Sequence, residues 1–181
     1  MTVMRNRRLL RCSSVLLAAI LISACTKSTA DKAAAIDAAK TPVPALTGRV
    51  NDTAGVLQPT DRDRISNLLA DYQRETGHQV AVLTVPTLAD ESIESFCLRA
   101  ANTWRLGRKG IDDGILVCLA MKERRLRIEL GLGMGRHISN ADAKEIIDVD
   151  MTPSFAMGDF AGGLERGLTR LMQEGRRFTD K

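Results

Sequence analysis

From residue 60 onward the chain alternates between apolar positions at helical spacing and short apolar runs at strand spacing. Ile65, Leu68, Leu69 and Tyr72 fall on one helical face, with Thr60 and Asp63 placed as a capping pair and Gly77 as the stop. QVAVLTV at 79–85 is β-branched, apolar and bounded by Gly77 and Pro86, which predicts a buried strand. After Asp90, Ile93, Phe96, Cys97, Ala100 and Trp104 share a second helical face that ends at Gly107. GILVCLAM at 114–121 has no polar residue to offer a solvated face and predicts a second buried strand. RLRIELGL at 125–132 alternates, Leu126, Ile128 and Leu130 against Arg125, Arg127 and Glu129. Ser139 and Asp142 open a helix running to about Asp150 that Pro153 interrupts, and Phe160, Leu164, Leu168 and Leu171 define the last one.

This order predicts an α/β domain with a small mixed sheet: a βαβ crossover joins the first two strands, and the short charged link KERR makes a hairpin of the second and third. Hairpin geometry then sets Asp112-Asp113-Gly114 opposite Gly131-Leu132-Gly133, and the crossover brings Gly77 and His78 to the same end. Two adjacent aspartates before a buried strand have two readings. They are an ordinary acidic turn, or they supply carboxylate and carbonyl oxygens to a hard cation, Ca²⁺ or Mg²⁺. The EF-hand spacing is absent.

The N-terminal sequence changes the charge picture. Arg5, Arg7, Arg8 and Arg11 precede an apolar stretch from Val15 to Ile22, and Ser23-Ala24-Cys25 follows. This resembles a bacterial lipoprotein signal over residues 1–24, with Cys25 as the acylated first residue of the mature protein. An uncut signal anchor is the alternative reading, and the small pair before the cysteine favours cleavage. The chain has 26 Lys and Arg against 22 Asp and Glu. Four of those basic residues lie in 1–24, so the mature chain is formally neutral. A basic pI therefore does not point to nucleic acid, and one Trp, one Tyr and four Phe provide no stacking platform for it. Residues 25–45, rich in Ala, Lys, Thr and Pro, read as a tether; residues 46–177 form the domain and 178–181 a tail. Thr26 in place of aspartate after the acylated cysteine favours the outer membrane of a diderm.

Other chemistries lack their signatures. His78 and His137 stand in no zinc-ligand spacing and read as surface or rim histidines. No G-x-S-x-G elbow or P-loop is present, and GLGMGR misses the dinucleotide-binding spacing, which excludes nucleotide partners. Cys97 and Cys118 face one core, as a disulfide or as buried thiols. Arg124, Arg125 and Arg127 offer phosphate contacts, though Arg125 and Arg127 fit better the solvated face of an edge strand.

Across residues 46 to 175 the chain resembles the TPM domain family. The likeness rests on VNDTAGVLQP (50–59), ETGHQVAVLTVP (75–86), SIESF with TWRLG (92–107), GIDDGILVCLAM (110–121) and RRLRIELGLGM (124–134), matched in order and spacing. The resemblance implies a three-layer α/β/α sandwich and an acidic cluster that binds a divalent cation in some members. Carried over by position, Asp52 and Asp112 match the family's acids, while Asp113 stands where Asn is common. Gly135 and Asn140 replace usual acids further on. The expectation is a lipid-anchored envelope protein, facing the periplasm, with Ca²⁺ or Mg²⁺ on Asp52, Asp112 and Asp113 and a role in assembling or maintaining membrane-protein complexes. A metal-assisted acid phosphatase is the alternative, with Arg125 stabilising charge on the phosphate. An interaction domain without ligand is the third.

Overall fold

The computed structural model describes residues 40–178. The expected signal segment, Cys25 and the expected tether as far as residue 39 lie outside the described residues. Four strands form one sheet in the order β1 (Val50–Asp52), β2 (Val80–Val85), β3 (Ile115–Ala120), β4 (Arg125–Leu130). β1 and β2 are parallel, β2 and β3 are parallel, and β3 and β4 form an antiparallel hairpin. The helices are α1 (Pro59–Thr76), α2 (Ile93–Trp104), α3 (Asn140–Ile146), α4 (Thr152–Ala156) and α5 (Phe160–Gly175). None of the described helices is long and apolar enough to cross a membrane.

The alternation of the strands divides the core into two layers. Val80, Val82, Ile115, Val117 and Ile128 pack against Ile65, Leu69 and Tyr72 of α1 and Leu164, Leu168 and Leu171 of α5. The opposite pleat, with Ala81, Leu83, Leu116 and Cys118, packs against Phe96, Cys97 and Ala100 of α2. Helices on both faces make the three-layer α/β/α sandwich. β2 and β3 are buried along their whole length because each is covered on both sides. Both parallel crossovers step the same way across the sheet, yet α1 and α2 lie on opposite faces. They therefore have opposite hands, a departure from the usual right-handed crossover.

Several local details differ from the sequence reading. α1 starts at Pro59 behind Gln58, which makes no side-chain cap, so Thr60 and Asp63 lie inside the helix. Proline suits that first position, where its missing N–H has no acceptor to lose. α2 ends at Trp104 with Arg105 in the left-handed region, and Gly107 follows two residues later. Ser139 and Asp142 do form the reciprocal capping box of α3. Pro153 does not break the rod: a π-helical turn, Ile147–Met151, precedes it, and Pro153 sits in the first turn of α4.

The domain also begins earlier than residue 46 and ends later than 177. Trp104 Nε1 donates to Pro44 O at 2.8 Å, an Arg99 guanidinium N–H donates to Thr41 O at 2.6 Å, and Val43 packs on the α2 layer. At the other terminus, Phe178 packs on the opposite core layer. Cys97 and Cys118 are joined as a disulfide between α2 and β3, with Cα atoms 6.2 Å apart.

Candidate functional site

The strand registers decide which predicted residues meet. Val80 pairs with Ile115 and Ile115 with Leu130, so the segment before β3 and the segment after β4 share one end of the sheet. There Gly131 N–H donates to Gly114 O at 2.8 Å and Gly133 N–H to Asp112 O at 3.0 Å, the juxtaposition that the hairpin predicts. Both glycines are required by this approach. A Cβ on Gly131 would lie 2.1 Å from Asp112 O, and one on Gly133 would lie 1.9 Å from Ile111 O.

The two adjacent aspartates play different parts. Asp113 is wholly buried, with Oδ1 accepting the Arg108 backbone N–H and Oδ2 accepting Arg108 Nε, both at 2.7 Å. His78 Nε2 lies 4.0 Å from the same Oδ2, and His78 Nδ1 is 3.2 Å from Tyr72 Oη. His78 is thus buried rather than a rim residue, and burial raises the pKa of the Tyr72 hydroxyl. Phe178 closes the cluster between His78 and His137, with ring centroids 4.9 and 4.4 Å away. Asp112 is exposed, has φ +56°, and shapes the rim through its backbone carbonyl. Asp112 lines a groove of 320 Å³ together with Glu129, Leu98 and Leu132.

Asp52 lies at the other end of the sheet. It pairs with Thr84 near the carboxyl end of β2, whereas Asp113 precedes the amino end of β3. At about 3.3 Å per residue the two ends are roughly 15–20 Å apart. The Asp52 carboxylate accepts the backbone N–H of Val56 at 3.1 Å and of Leu57 at 2.9 Å, and also the Thr84 hydroxyl. It therefore ties the loop between β1 and α1 to β2.

These positions test the expected cation set. A shared Ca²⁺ or Mg²⁺ needs several oxygens on one small sphere. Asp52 is a sheet length away from the aspartate pair, and both oxygens of Asp113 are engaged by Arg108. Among the described residues no three His, Cys, Asp or Glu side chains group as ligands. Asp52 thus stands a sheet length from Asp112 and Asp113, apart from the rim where the sequence reading gathered all three carboxylates.

Arg125 is also displaced from the aspartates. It pairs with Ala120 at the hairpin turn, five strand residues beyond the Ile115 level, so about 16 Å or more separates it from the Asp112 rim. An arrangement with Asp112 and Asp113 as ligands and Arg125 on the same phosphate is not assembled. Arg125 instead lines a cleft of 510 Å³ with Arg124, Leu126, Phe155 and Phe160. Sequence reading missed Arg108 as the partner of Asp113, because a counterion five residues away across a loop has no spacing rule. It missed the cleft because Phe155 and Phe160 belong to helices far along the chain.

The domain matches solved structures and a family model. The N-terminal domain of a protein from P. gingivalis is similar at 29% identity over 73% of this chain and 87% of that one, with a TM-score of 0.65. The BA42 protein of the psychrophilic bacterium Bizionia argentinensis is similar in fold at 14% identity, covering 67% and 83% of the two chains, with a TM-score of 0.59. The N-terminal domain of the cg2496 protein of Corynebacterium glutamicum is similar in fold at 17% identity, covering 77% and 88%, with a TM-score of 0.55. No curated protein matches. The family model described as the TPM domain matches residues 50–174, most of the chain and nearly all of its folded part. This chain belongs to the TPM domain family.

Proposed function

We propose that this protein is a lipid-anchored TPM domain of the bacterial cell envelope that binds membrane proteins and assists their assembly or maintenance. The anchor is acylated Cys25, the domain faces the periplasm, and in a diderm the outer membrane holds it. The basic, apolar and small-residue order of residues 5–25 supports this placement.

One observation favours binding over turnover. The acids that suggest chemistry are engaged in holding the fold, Asp52 by Val56, Leu57 and Thr84 and Asp113 by Arg108, while Arg125 stands at the end of the sheet away from Asp112. A phosphomonoesterase needs charge-stabilising groups within hydrogen-bond reach of one phosphate.

The test uses the mature protein in its own membranes. The expected result is copurification of a defined membrane protein that persists in EDTA, with no hydrolysis of p-nitrophenyl phosphate in Mg²⁺ or Ca²⁺. Hydrolysis that Asp112→Asn abolishes would overturn the reading, as would a partner released by the chelator.

A further inference from the structure

The 510 Å³ cleft at the hairpin end has the size of a small-molecule site. Leu119 and Leu126, paired across β3 and β4, contribute to it from the sheet, while Phe155 and Phe160 contribute from α4 and α5 with ring centroids 5.4 Å apart. Its only charged lining residues are Arg124 and Arg125. Arg127, two residues on, pairs with Glu129 at 2.8 Å, whereas neither Arg124 nor Arg125 has a carboxylate partner among the described residues. The adjacent acid, Glu123, is engaged elsewhere: its Oε1 accepts the Thr87 hydroxyl at 2.7 Å and the Leu88 N–H at 3.1 Å.

Two exposed arginines lining an otherwise uncharged, largely apolar cleft select a ligand that is apolar along its body and anionic at one end. A free inorganic ion leaves the aromatic walls unused, and a neutral chain leaves the arginines unpaired. Arg124 sits at φ +50° in the hairpin turn, so the turn backbone fixes where its side chain begins. We infer that the cleft between the β3–β4 hairpin and α4–α5 binds a single-chain amphiphilic anion, an acyl chain ending in a carboxylate or phosphate, with its head on Arg124 and Arg125 and its chain against Phe155 and Phe160. This inference is independent of the proposed function and stands on the cleft alone.

The experiment is isothermal calorimetry and amide-shift mapping on the mature full chain in neutral detergent nanodiscs. The probes are monomeric dodecanoate and dodecyl phosphate, compared with dodecyltrimethylammonium and with inorganic phosphate. Both amphiphilic anions are expected to saturate one site that shifts Met121, Arg125 and Phe160 amides, with the other two probes inert there. The double variant Arg124→Gln with Arg125→Gln, checked for an unchanged Tm, is expected to weaken dodecanoate by about tenfold or more. Phe155→Ala should weaken it while leaving the preference for anions intact. Equal binding of the cationic amphiphile, full affinity in the double variant, or no saturable binding overturns the proposal. Binding of inorganic phosphate as tight as dodecyl phosphate reduces the cleft to an anion site and overturns it too. Response only to vesicles of phosphatidylglycerol and phosphatidylcholine, and not to monomeric anions, makes it a membrane-docking face and counts equally against it.

Discussion

Asp113 and Arg108 form a closed pair. One carboxylate oxygen takes the arginine's backbone N–H and the other takes its Nε, each at 2.7 Å, while the carboxylate itself is 0% exposed. The pair staples the 107–113 loop at the amino end of β3, where a cation site would have needed those same oxygens.

The neighbouring aspartates should therefore respond differently to substitution. Asp113→Ala removes the buried carboxylate that accepts both the Arg108 backbone N–H and its Nε, and is expected to destabilise the domain by about 3 kcal/mol in urea unfolding. Asp113→Asn keeps one acceptor and should cost less. Asp112→Asn should stay within about 0.5 kcal/mol, because its side chain is exposed and Asn tolerates the left-handed backbone at φ +56°. Equal losses at the two positions would contradict these separate roles.

Gly131 and Gly133 should be as intolerant as Asp113. The 2.1 and 1.9 Å approaches to the carbonyls of Asp112 and Ile111 mean that either alanine pushes the rim apart. A loss of about 2 kcal/mol or more is expected for each, with Gly135→Ala as the mild control because nothing lies within 4 Å of its added carbon.

The Cys97–Cys118 bridge closes a separation of 21 residues and is buried between α2 and the sheet. Its removal in the Cys97→Ala, Cys118→Ala variant should lower stability by about 3 kcal/mol. Both core layers lie in residues 40–178, so the domain freed of residues 1–39 is a suitable sample. Unfolded without reductant, it should show no titratable thiol; two thiols would contradict the bridge.

Acid should loosen two ends of the fold. The Ser139 hydroxyl and then its backbone N–H hold the Asp142 carboxyl below its usual range, and the Thr87 hydroxyl, with the Leu88 N–H, does the same for Glu123. Because both folded-state values are depressed, the stabilisation is complete above the unfolded values near ~4 and is lost as pH falls through the folded ones. The difference in urea midpoint between the wild type and Asp142→Asn or Glu123→Gln should shrink progressively below about pH 4. A difference that grows as pH falls would contradict the sign.

Much of this architecture was legible because strong periodicity and burial coincide. β2, β3, α2 and α5 each show an apolar pattern long enough to fix their type, and the KERR link fixes the hairpin and the Asp112–Gly133 juxtaposition. β1 was not legible: three residues carry no period, and Val50–Asp52 is a strand because β2 offers it a parallel edge. That omission misplaced Asp52. The family likeness supplied the residue without its end of the sheet, and only the Asp52–Thr84 register reveals that it caps a loop far from Asp112. Arg124 and Arg125 were visible as cations, but Phe155 and Phe160, which make them the mouth of a cleft, are brought in by tertiary packing.

The central claim is that the family acids build this fold without forming one cation centre. Titration of the domain with Ca²⁺, and separately Mg²⁺, while following the amide resonances of residues 52, 112, 113 and 129, tests it most directly. The account predicts no saturable transition shared by Asp52, Asp112 and Asp113, and no shift at Asp52 in step with the rim. A single dissociation constant governing all three aspartates, abolished by Asp52→Asn and by Asp112→Asn alike, would contradict it.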